Sequence, residues 1–405
     1  MHEHARMGTM QRFATNMAIW LGRWAAFGLT LYLVSFYVLD SSAQKTLFYI
    51  AVGLPGLLLF FRLWPMFREH RAALSWLLVL LAYLSLSSLW GDRSELVEAL
   101  KYSLYLLCLM IAIDAAYRSG VRQNHVITGL LVIGALAACA YWVSTLAHIE
   151  RLGDLAGGRY SLYRLVGWGE NNPINSAIVF GLTVLTAWWI FPAVGRVRQL
   201  ILLVLILLCT GLMFVTKSRG PLLALTLTLG LVSLCRKRRE DLLLWSVVAV
   251  AATVAVVSFD LGKIISDRAS APNYRLEIWS SSLDLFAEQP LWGQGFGKSA
   301  EIAIRPGVVV THSHSTMLEF LRIGGGLGGL LCALVLWSSF RTLGSIRQAD
   351  LFYLFWFIYG VACLSTNGRL PLSRPSIEWF AFWLPLLLSI FLPAQGIPDT
   401  QHRKD

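Results

Sequence analysis

The chain has 405 residues, of which 56% are hydrophobic and 14% are charged. About a quarter of the residues of a soluble globular protein are charged, so this composition excludes that class and indicates a polytopic membrane protein. The formal net charge of +11 is not accompanied by a nucleic-acid-binding motif, and we therefore expect no nucleic acid partner.

Apolar stretches of about 20 residues, the length that crosses a bilayer, predict an all-α fold with about twelve transmembrane helices. No small-residue cleavage pattern follows the first stretch, so we interpret it as a retained helix rather than a signal peptide. We expect a single integral membrane domain over residues 1–405. The predicted helices are residues 17–39, 46–62, 72–90, 95–116, 125–148, 173–194, 199–216, 220–236, 242–259, 314–340, 350–366 and 376–394.

The arginines and lysines predict the orientation of these helices. If the amino terminus is cytoplasmic, the inner connections contain most of the cations, including the run from Arg236 to Arg239. The positive-inside rule then predicts that both termini are cytoplasmic. Two long loops, residues 149–172 and 260–313, are predicted outside, and we expect the second to form part of an active site.

Disulfide and metal chemistry are not expected. All six cysteines lie within or at the ends of apolar stretches, so they predict neither a disulfide framework nor a thiolate metal site. His312 and His314 are two positions apart, so they cannot share a helix face and do not form a helical two-histidine metal pair. The sequence therefore predicts no metal site.

Several cations lie on the predicted outer side, where membrane insertion does not favour them. They include Arg159 and Arg164 in the first long loop and Lys217 and Arg219 in a short turn. Because a guanidinium group binds phosphate through paired, charge-assisted hydrogen bonds, an anion at the outer membrane face is the simplest explanation. Arg219 lies between two helices and is tied to the membrane boundary. Snorkelling of this side chain to lipid head groups is the alternative.

Arg275 begins a predicted amphipathic helix in the second long loop. Leu276, Trp279, Leu283 and Phe286 follow helical spacing, which predicts a helix lying on the membrane surface. Such a helix would hold Arg275 at the depth of the lipid head groups, although an ordinary cation at the membrane rim has the same pattern. The glycine-rich run at residues 293–297 has no preceding strand, so it predicts a tight turn rather than a nucleotide-binding loop.

His314 is predicted to open the tenth helix at the outer membrane boundary. Nearby arginines would disfavour the imidazolium form and leave a neutral ring able to accept a proton. The alternative is a structural histidine held by hydrogen bonds. His312 is a candidate substrate contact.

Motifs between about residues 160 and 330 carry a family resemblance. They are Ser218-Arg219-Gly220, Arg275 with Trp279, the segment from Pro290 to Gly297, and His314 followed by Leu318, Gly325 and Gly328. Together they resemble the O-antigen ligase superfamily, which includes lipopolysaccharide ligases, O-antigen polymerases and bacterial O-oligosaccharyltransferases. This chain has Ser315 and Ile323 where the superfamily usually has Asn and an acidic residue. The segment from Arg164 to Gly167 resembles the superfamily's first-loop segment.

The resemblance implies a donor, O-antigen on undecaprenyl pyrophosphate, and an acceptor, lipid A-core. It implies transfer at the periplasmic face of the bacterial inner membrane, without a nucleotide sugar, metal or other cofactor, and no protein partner is predicted. A glycosyl pyrophosphate is already activated, so the enzyme chiefly stabilises the departing anion and removes a proton. Arg219 and Arg275 suit the first task and His314 the second. The further expected substrate contacts are Arg159, Arg164, Lys217 and His312.

Other functions fit parts of the same pattern. An O-antigen polymerase or O-oligosaccharyltransferase would share the leaving group and differ in its acceptor. A lipid-linked glycan transporter would move labelled lipid without forming a glycosidic bond, but no internal repeat supports that class. A lipid-binding scaffold would show neither property.

Overall fold

The computed structural model describes residues 2–148, 160–161, 167–258, 274–305, 308–341 and 351–391, which are almost entirely helical. The α-helices up to the second long loop are α1 His2–Val38, α2 Ser41–Phe48, α3 Leu54–Leu58, α4 Leu63–Glu69, α5 Arg71–Leu86, α6 Leu96–Arg118, α7 Gln123–His148, α8 Pro173–Ile190, α9 Arg196–Val215, α10 Arg219–Arg236 and α11 Arg239–Ser258. The later elements are α12 Arg275–Glu288, β1 Ile302–Arg305, β2 Val308–Val310, α13 Thr316–Phe340, α14 Leu351–Leu364 and α15 Leu384–Phe391. Short π-helical and 3-10 segments occupy Tyr49–Gly53, Phe60–Arg62, Ser87–Leu89, Arg93–Glu95, Phe191–Ala193 and Trp379–Trp383.

The number of membrane crossings differs from the prediction. Within the described ranges, seven helices are long and apolar enough to cross a membrane. An eighth is added if Ser41–Leu58 and Phe60–Glu69, which are bent by 57°, form one span. All twelve predicted stretches contain helix, but those in residues 350–366 and 376–394 are short, Leu351–Leu364 and Trp379–Phe391, and α10 and α11 are not among the seven. The structure is that of a multi-pass membrane protein, and the count of about twelve is not confirmed.

Helix α8 lies at the centre of the helical packing. It starts at Pro173, and the side chain of Asn172 caps it by accepting a 2.9 Å hydrogen bond from the backbone N–H of Ile174. In its most apolar window 78% of the residues are buried, the highest share among the candidate spans. The hydroxyl of Tyr359 on α14 donates to the carbonyl oxygen of Ile178 at 3.1 Å. A buried tyrosine needs such a partner, so this contact fixes α14 against α8.

Helix α13 is kinked where the second long loop packs against it. Gly325 has φ 62° and ψ −166°, which breaks the helical hydrogen-bond pattern. The backbone of the loop satisfies the groups that the kink leaves free. The bonds run from Gln294 N to Arg322 O (2.7 Å), Gly295 N to Ile323 O (3.0 Å), Gly326 N to Pro290 O (2.7 Å) and Leu327 N to Leu291 O (3.1 Å). The predicted fold-back of this loop is thus present.

The glycines of the loop are required by its conformation. Gly293, Gly295 and Gly297 have φ values of 69°, 86° and 83°, a region that disfavours other residues. A Cβ atom on Gly293 would lie 2.4 Å from the backbone nitrogen of Gly325. This close approach explains why the glycine-rich run forms a turn against α13.

The second long loop also has a small core, which includes strand that the all-α prediction missed. Strands β1 and β2 pair antiparallel, with Ile302 opposite Val310. Ile302 and Ala300 are buried against Ile278 on α12. Leu276 and Leu283 remain exposed on the opposite side of α12, which agrees with an amphipathic helix.

Candidate active site

His314 lies just before α13 and not inside it. The helix starts at Thr316, and the hydroxyl of Ser315 caps it by accepting a 3.5 Å hydrogen bond from the N–H of Leu318. The prediction that His314 opens the helix was wrong by two residues, because the capping serine ends the loop at that point. His314 has φ 49°, an uncommon left-handed conformation for a residue other than glycine.

The loop brings His312 and His314 together, although they cannot share a helix face. Their ring centroids are 3.9 Å apart, and the backbone N–H of His314 donates to Nδ1 of His312 at 3.2 Å. Burial, together with His314 and Arg369, lowers the pKa of His312 to about 4. His312 is therefore neutral near pH 7. Since Nδ1 accepts a hydrogen bond, the ring proton is on Nε2.

The imidazole of His314 is half-buried and lies in a cationic environment. Burial lowers its pKa first, and the positive charges of Arg275 and Arg369 lower it further, against an opposing effect of Glu319. This direction agrees with the expectation of a neutral ring. Burial also lowers the pKa of Arg275, which is the first residue of α12. The positive charge of Arg275 thus acts on His314.

Arg369 is a cation that the sequence did not single out for the site. It lies in the connection after α14, and its side chain is exposed. Its carbonyl oxygen accepts a 2.8 Å hydrogen bond from the hydroxyl of Thr316, two residues after His314. A Cβ atom on Gly368 would lie 1.9 Å from that hydroxyl, so this glycine allows the close approach. The only sequence signal was its place on the predicted outer side, in the same short connection as Arg374.

Arg219 is the first residue of α10, and its side chain is exposed. The side chain of Ser218 does not cap this helix, so it leaves the backbone N–H groups of Arg219 and Gly220 uncapped, whereas Pro221 has no N–H. A Cβ atom on Gly220 would lie 2.5 Å from the hydroxyl of Thr366. Arg219 therefore lies beside the connection that carries Arg369, at the end of a helix as predicted.

The structure describes only some of the other residues predicted to contact the substrate. Arg159 and Arg164 lie outside the described residues. The backbone N–H of Tyr160 donates to the carbonyl oxygen of Val215 at 3.5 Å, which places this part of the first long loop beside the end of α9. Lys217, two residues after Val215, is half-buried and has a left-handed φ of 48°.

A buried ion pair lies beneath the loop that carries His314. Glu319 and Arg322 on α13 are 4% and 1% exposed, and Nη2 of Arg322 donates to Oε1 of Glu319 at 2.6 Å. Ionisable residues within an apolar helix are costly and mark functional positions. That signal was present in the sequence, but the spacing alone did not show what the pair contacts. In the part of the chain that the structure describes, no group of three or more His, Cys, Asp or Glu residues has a metal-binding arrangement.

Two comparisons show which known proteins the chain is similar to. Residues 202–333 match the family model described as O-Antigen ligase. Over 362 residues, the chain is 28% identical to an O-antigen ligase of Pseudomonas aeruginosa, covering 87% of this chain and 86% of the relative. These matches support the O-antigen ligase superfamily. The superfamily match includes Arg219, Arg275 and His314, whereas Arg369 lies beyond it.

Proposed function

We propose that the protein is an O-antigen ligase that transfers O-antigen from undecaprenyl pyrophosphate to lipid A-core. The observation that carries the proposal is a half-buried His314 whose pKa is lowered by burial and then by Arg275 and Arg369, which come from two separate segments. In this proposal the site faces the periplasm, the protein resides in the bacterial inner membrane, and both termini are cytoplasmic. The family match and the apolar helices support this setting.

The proposed reaction needs one base and one anion site. A hydroxyl oxygen of lipid A-core attacks the anomeric carbon of the first O-antigen sugar, and His314 takes the hydroxyl proton. The bond from that carbon to the pyrophosphate oxygen breaks, and its electron pair leaves with undecaprenyl pyrophosphate. The imidazolium then releases its proton to water. A neutral imidazole is the form of His314 that can start this sequence.

The anion site is proposed to use guanidinium groups from three segments. Arg219 and Arg275 bind the pyrophosphate, and Arg369 contributes positive charge beside His314. The N–H groups of Arg219 and Gly220, which Ser218 does not cap, are proposed as further hydrogen-bond donors for the same anion. Further proposed substrate contacts are Arg159, Arg164, Lys217 and His312. Such donors are fixed before the reaction, so they stabilise the charge that develops on the leaving group.

A reconstituted ligation assay tests the proposal. Purified protein in nanodiscs would be incubated with undecaprenyl-pyrophosphate-linked O-antigen and lipid A-core, and ligated lipopolysaccharide would be measured. Wild-type protein should form it, and His314→Ala should lose at least about a hundredfold in rate. His125→Ala, at the start of α7, is the matched control and should retain activity. Wild-type-like transfer by a folded His314→Ala protein would remove the base from the mechanism.

The choice of acceptor separates the proposal from its alternatives. If a second lipid-linked O-antigen is extended and lipid A-core is not used, the protein is a polymerase. If labelled donor crosses a vesicle membrane without a new glycosidic bond, the protein is a transporter. Either result would contradict the proposed ligase.

A further inference from the structure

The carboxylate of Glu319 holds the residue that precedes His314. Its Oε2 atom accepts two hydrogen bonds from Ser313, one from the backbone N–H at 3.0 Å and one from the hydroxyl at 2.6 Å. Ser313 is fully buried. Since Ser315 caps α13 on the other side, the conformation of His314 is fixed at both of its neighbours.

The guanidinium of Arg322 holds the glycine-rich loop. Its Nη1 atom donates to Oε1 of Gln294 at 3.1 Å and to the carbonyl oxygen of Lys298 at 2.9 Å. The backbone N–H of Gln294 donates in turn to the carbonyl oxygen of Arg322 at 2.7 Å. This loop follows α12 directly, and α12 begins with Arg275. One buried ion pair thus joins the segment of His314 to the loop at the carboxyl end of α12, the helix that begins with Arg275.

We propose that the Glu319–Arg322 pair is a positioning device that fixes the imidazole of His314 relative to the guanidinium of Arg275. Neither member contacts the reacting atoms in this proposal. The effect of the pair on ligation rests on the proposed function, but its positioning of His314 does not.

The conformation of His314 explains why such a device is needed. A left-handed φ on a residue other than glycine is strained and persists only where surrounding contacts enforce it. Glu319 supplies those contacts through Ser313. A buried ion pair often adds little net stability compared with apolar residues of similar size, so stability alone does not account for this one.

The pair also acts on the charge state of His314. Among the residues that the structure describes, the charged or titratable groups acting on this ring are Arg275 from α12, Arg369 from the connection after α14 and Glu319 from α13, and His312 in the same loop contacts it. Among the charged groups that shift the pKa of His314, Glu319 raises it and the two arginines lower it. Loss of the carboxylate is therefore expected to lower that pKa further.

Three measurements on Glu319→Gln test the proposal. Amide hydrogen exchange should become faster at residues 312–316 and 294–298. The NMR titration of His314 should move to lower pH. In the ligation assay, kcat should fall at least tenfold while the KM for the donor changes less, because the base is misplaced and the anion site remains. The separate variant Arg322→Lys keeps a positive charge next to Glu319. Its His314 should titrate as in the wild type, but residues 294–298 should exchange faster.

A second variant covers the case in which Glu319→Gln does not fold. Ser313→Ala removes one hydrogen bond and keeps the backbone bond to Glu319. It should increase exchange at residues 312–316 and leave residues 294–298 protected, because the contacts of Arg322 are intact.

The Arg236–Asp241 pair provides a matched control. Its side chains are 6% and 3% exposed, the shortest contact is 2.5 Å, and it lies at the other end of α10, about 25 Å along the helix from Arg219. Asp241→Asn should lower stability without moving the titration of His314.

Two results would overturn the proposal. Unchanged exchange at residues 312–316 in Glu319→Gln would show that the pair does not hold the loop. If Glu319→Gln speeds exchange but leaves the His314 titration unchanged, as expected for the control Asp241→Asn, the pair is only structural. If wild-type protein does not ligate, the proposed function fails, and exchange and titration still decide the positioning role.

Discussion

The hydroxyl of Thr316 donates a 2.8 Å hydrogen bond to the carbonyl oxygen of Arg369. The two residues are 53 positions apart, so this bond joins the start of α13 to the connection after α14. Gly368 makes the contact possible by leaving room for the hydroxyl. The bond thereby holds a third cation next to His314.

Thr316→Val should loosen the position of Arg369 and lower ligation. The substitution keeps the shape of the side chain and removes the donor, which leaves a carbonyl oxygen without its partner at a cost of about 1–3 kcal/mol. We expect about a tenfold loss in kcat/KM in the nanodisc assay. Thr226→Val on the exposed side of α10, where the hydroxyl bonds only within its own helix, should have little effect. Equal activities of the two variants would contradict this role.

Arg219→Lys should lose about a hundredfold in ligation rate. The lysine keeps the positive charge but not the paired donor geometry of the guanidinium group, and removal of a charge-stabilising donor costs about that factor. Arg93→Lys, another exposed arginine on the predicted outer side, serves as the control. If Arg219→Lys and Arg93→Lys are equally active, Arg219 is a snorkelling residue and does not bind the anion.

The pH dependence of the ligation rate should follow the protonation of His314. The base is active when neutral, so activity should fall as the pH drops through its pKa, which lies below the usual 6.5. Arg369→Gln removes a positive charge that lowers this pKa, and the acidic limb should therefore move to higher pH. If the acidic limb of the pH–rate profile of Arg369→Gln stays in place or moves to lower pH, Arg369 does not act on the base.

Gly325→Ala should destabilise the protein by about 2 kcal/mol or more. Its φ of 62° is strained for alanine, and a Cβ atom would lie 2.4 Å from the carbonyl oxygen of Leu291. Gly329→Ala, also in α13, meets only a side-chain atom of Leu321 at 3.4 Å and should be neutral or stabilising. Thermal unfolding in detergent measures both. A stable Gly325→Ala protein would mean that the kink is not required.

The sequence singled out candidate site residues that stand near recognisable boundaries. Arg219 was identified because it starts a helix after a very short turn, and Arg275 because the apolar residues after it repeat with helical spacing. His314 was expected to be a neutral ring because it was predicted at the outer membrane boundary, where other arginines were also predicted to lie. Its exact position was not predictable, since the backbone conformation depends on the capping role of Ser315.

Contacts between distant segments were not predictable from spacing. Arg369 shares a short connection with Arg374, and nothing in its spacing shows that Thr316 binds its carbonyl group. Glu319 and Arg322 are three positions apart, but their partners come from the loop before α13. The β-branched run at residues 308–310 favours strand, and the hairpin was missed because membrane composition dominated the prediction.

Cryo-electron microscopy of the protein with undecaprenyl-pyrophosphate-linked glycan tests the central claim most directly. The account predicts pyrophosphate density within hydrogen-bond reach of Arg219 and Arg275, with the imidazole of His314 beside the anomeric carbon. Density for the pyrophosphate at another surface, with His314 facing away from the sugar, would contradict it.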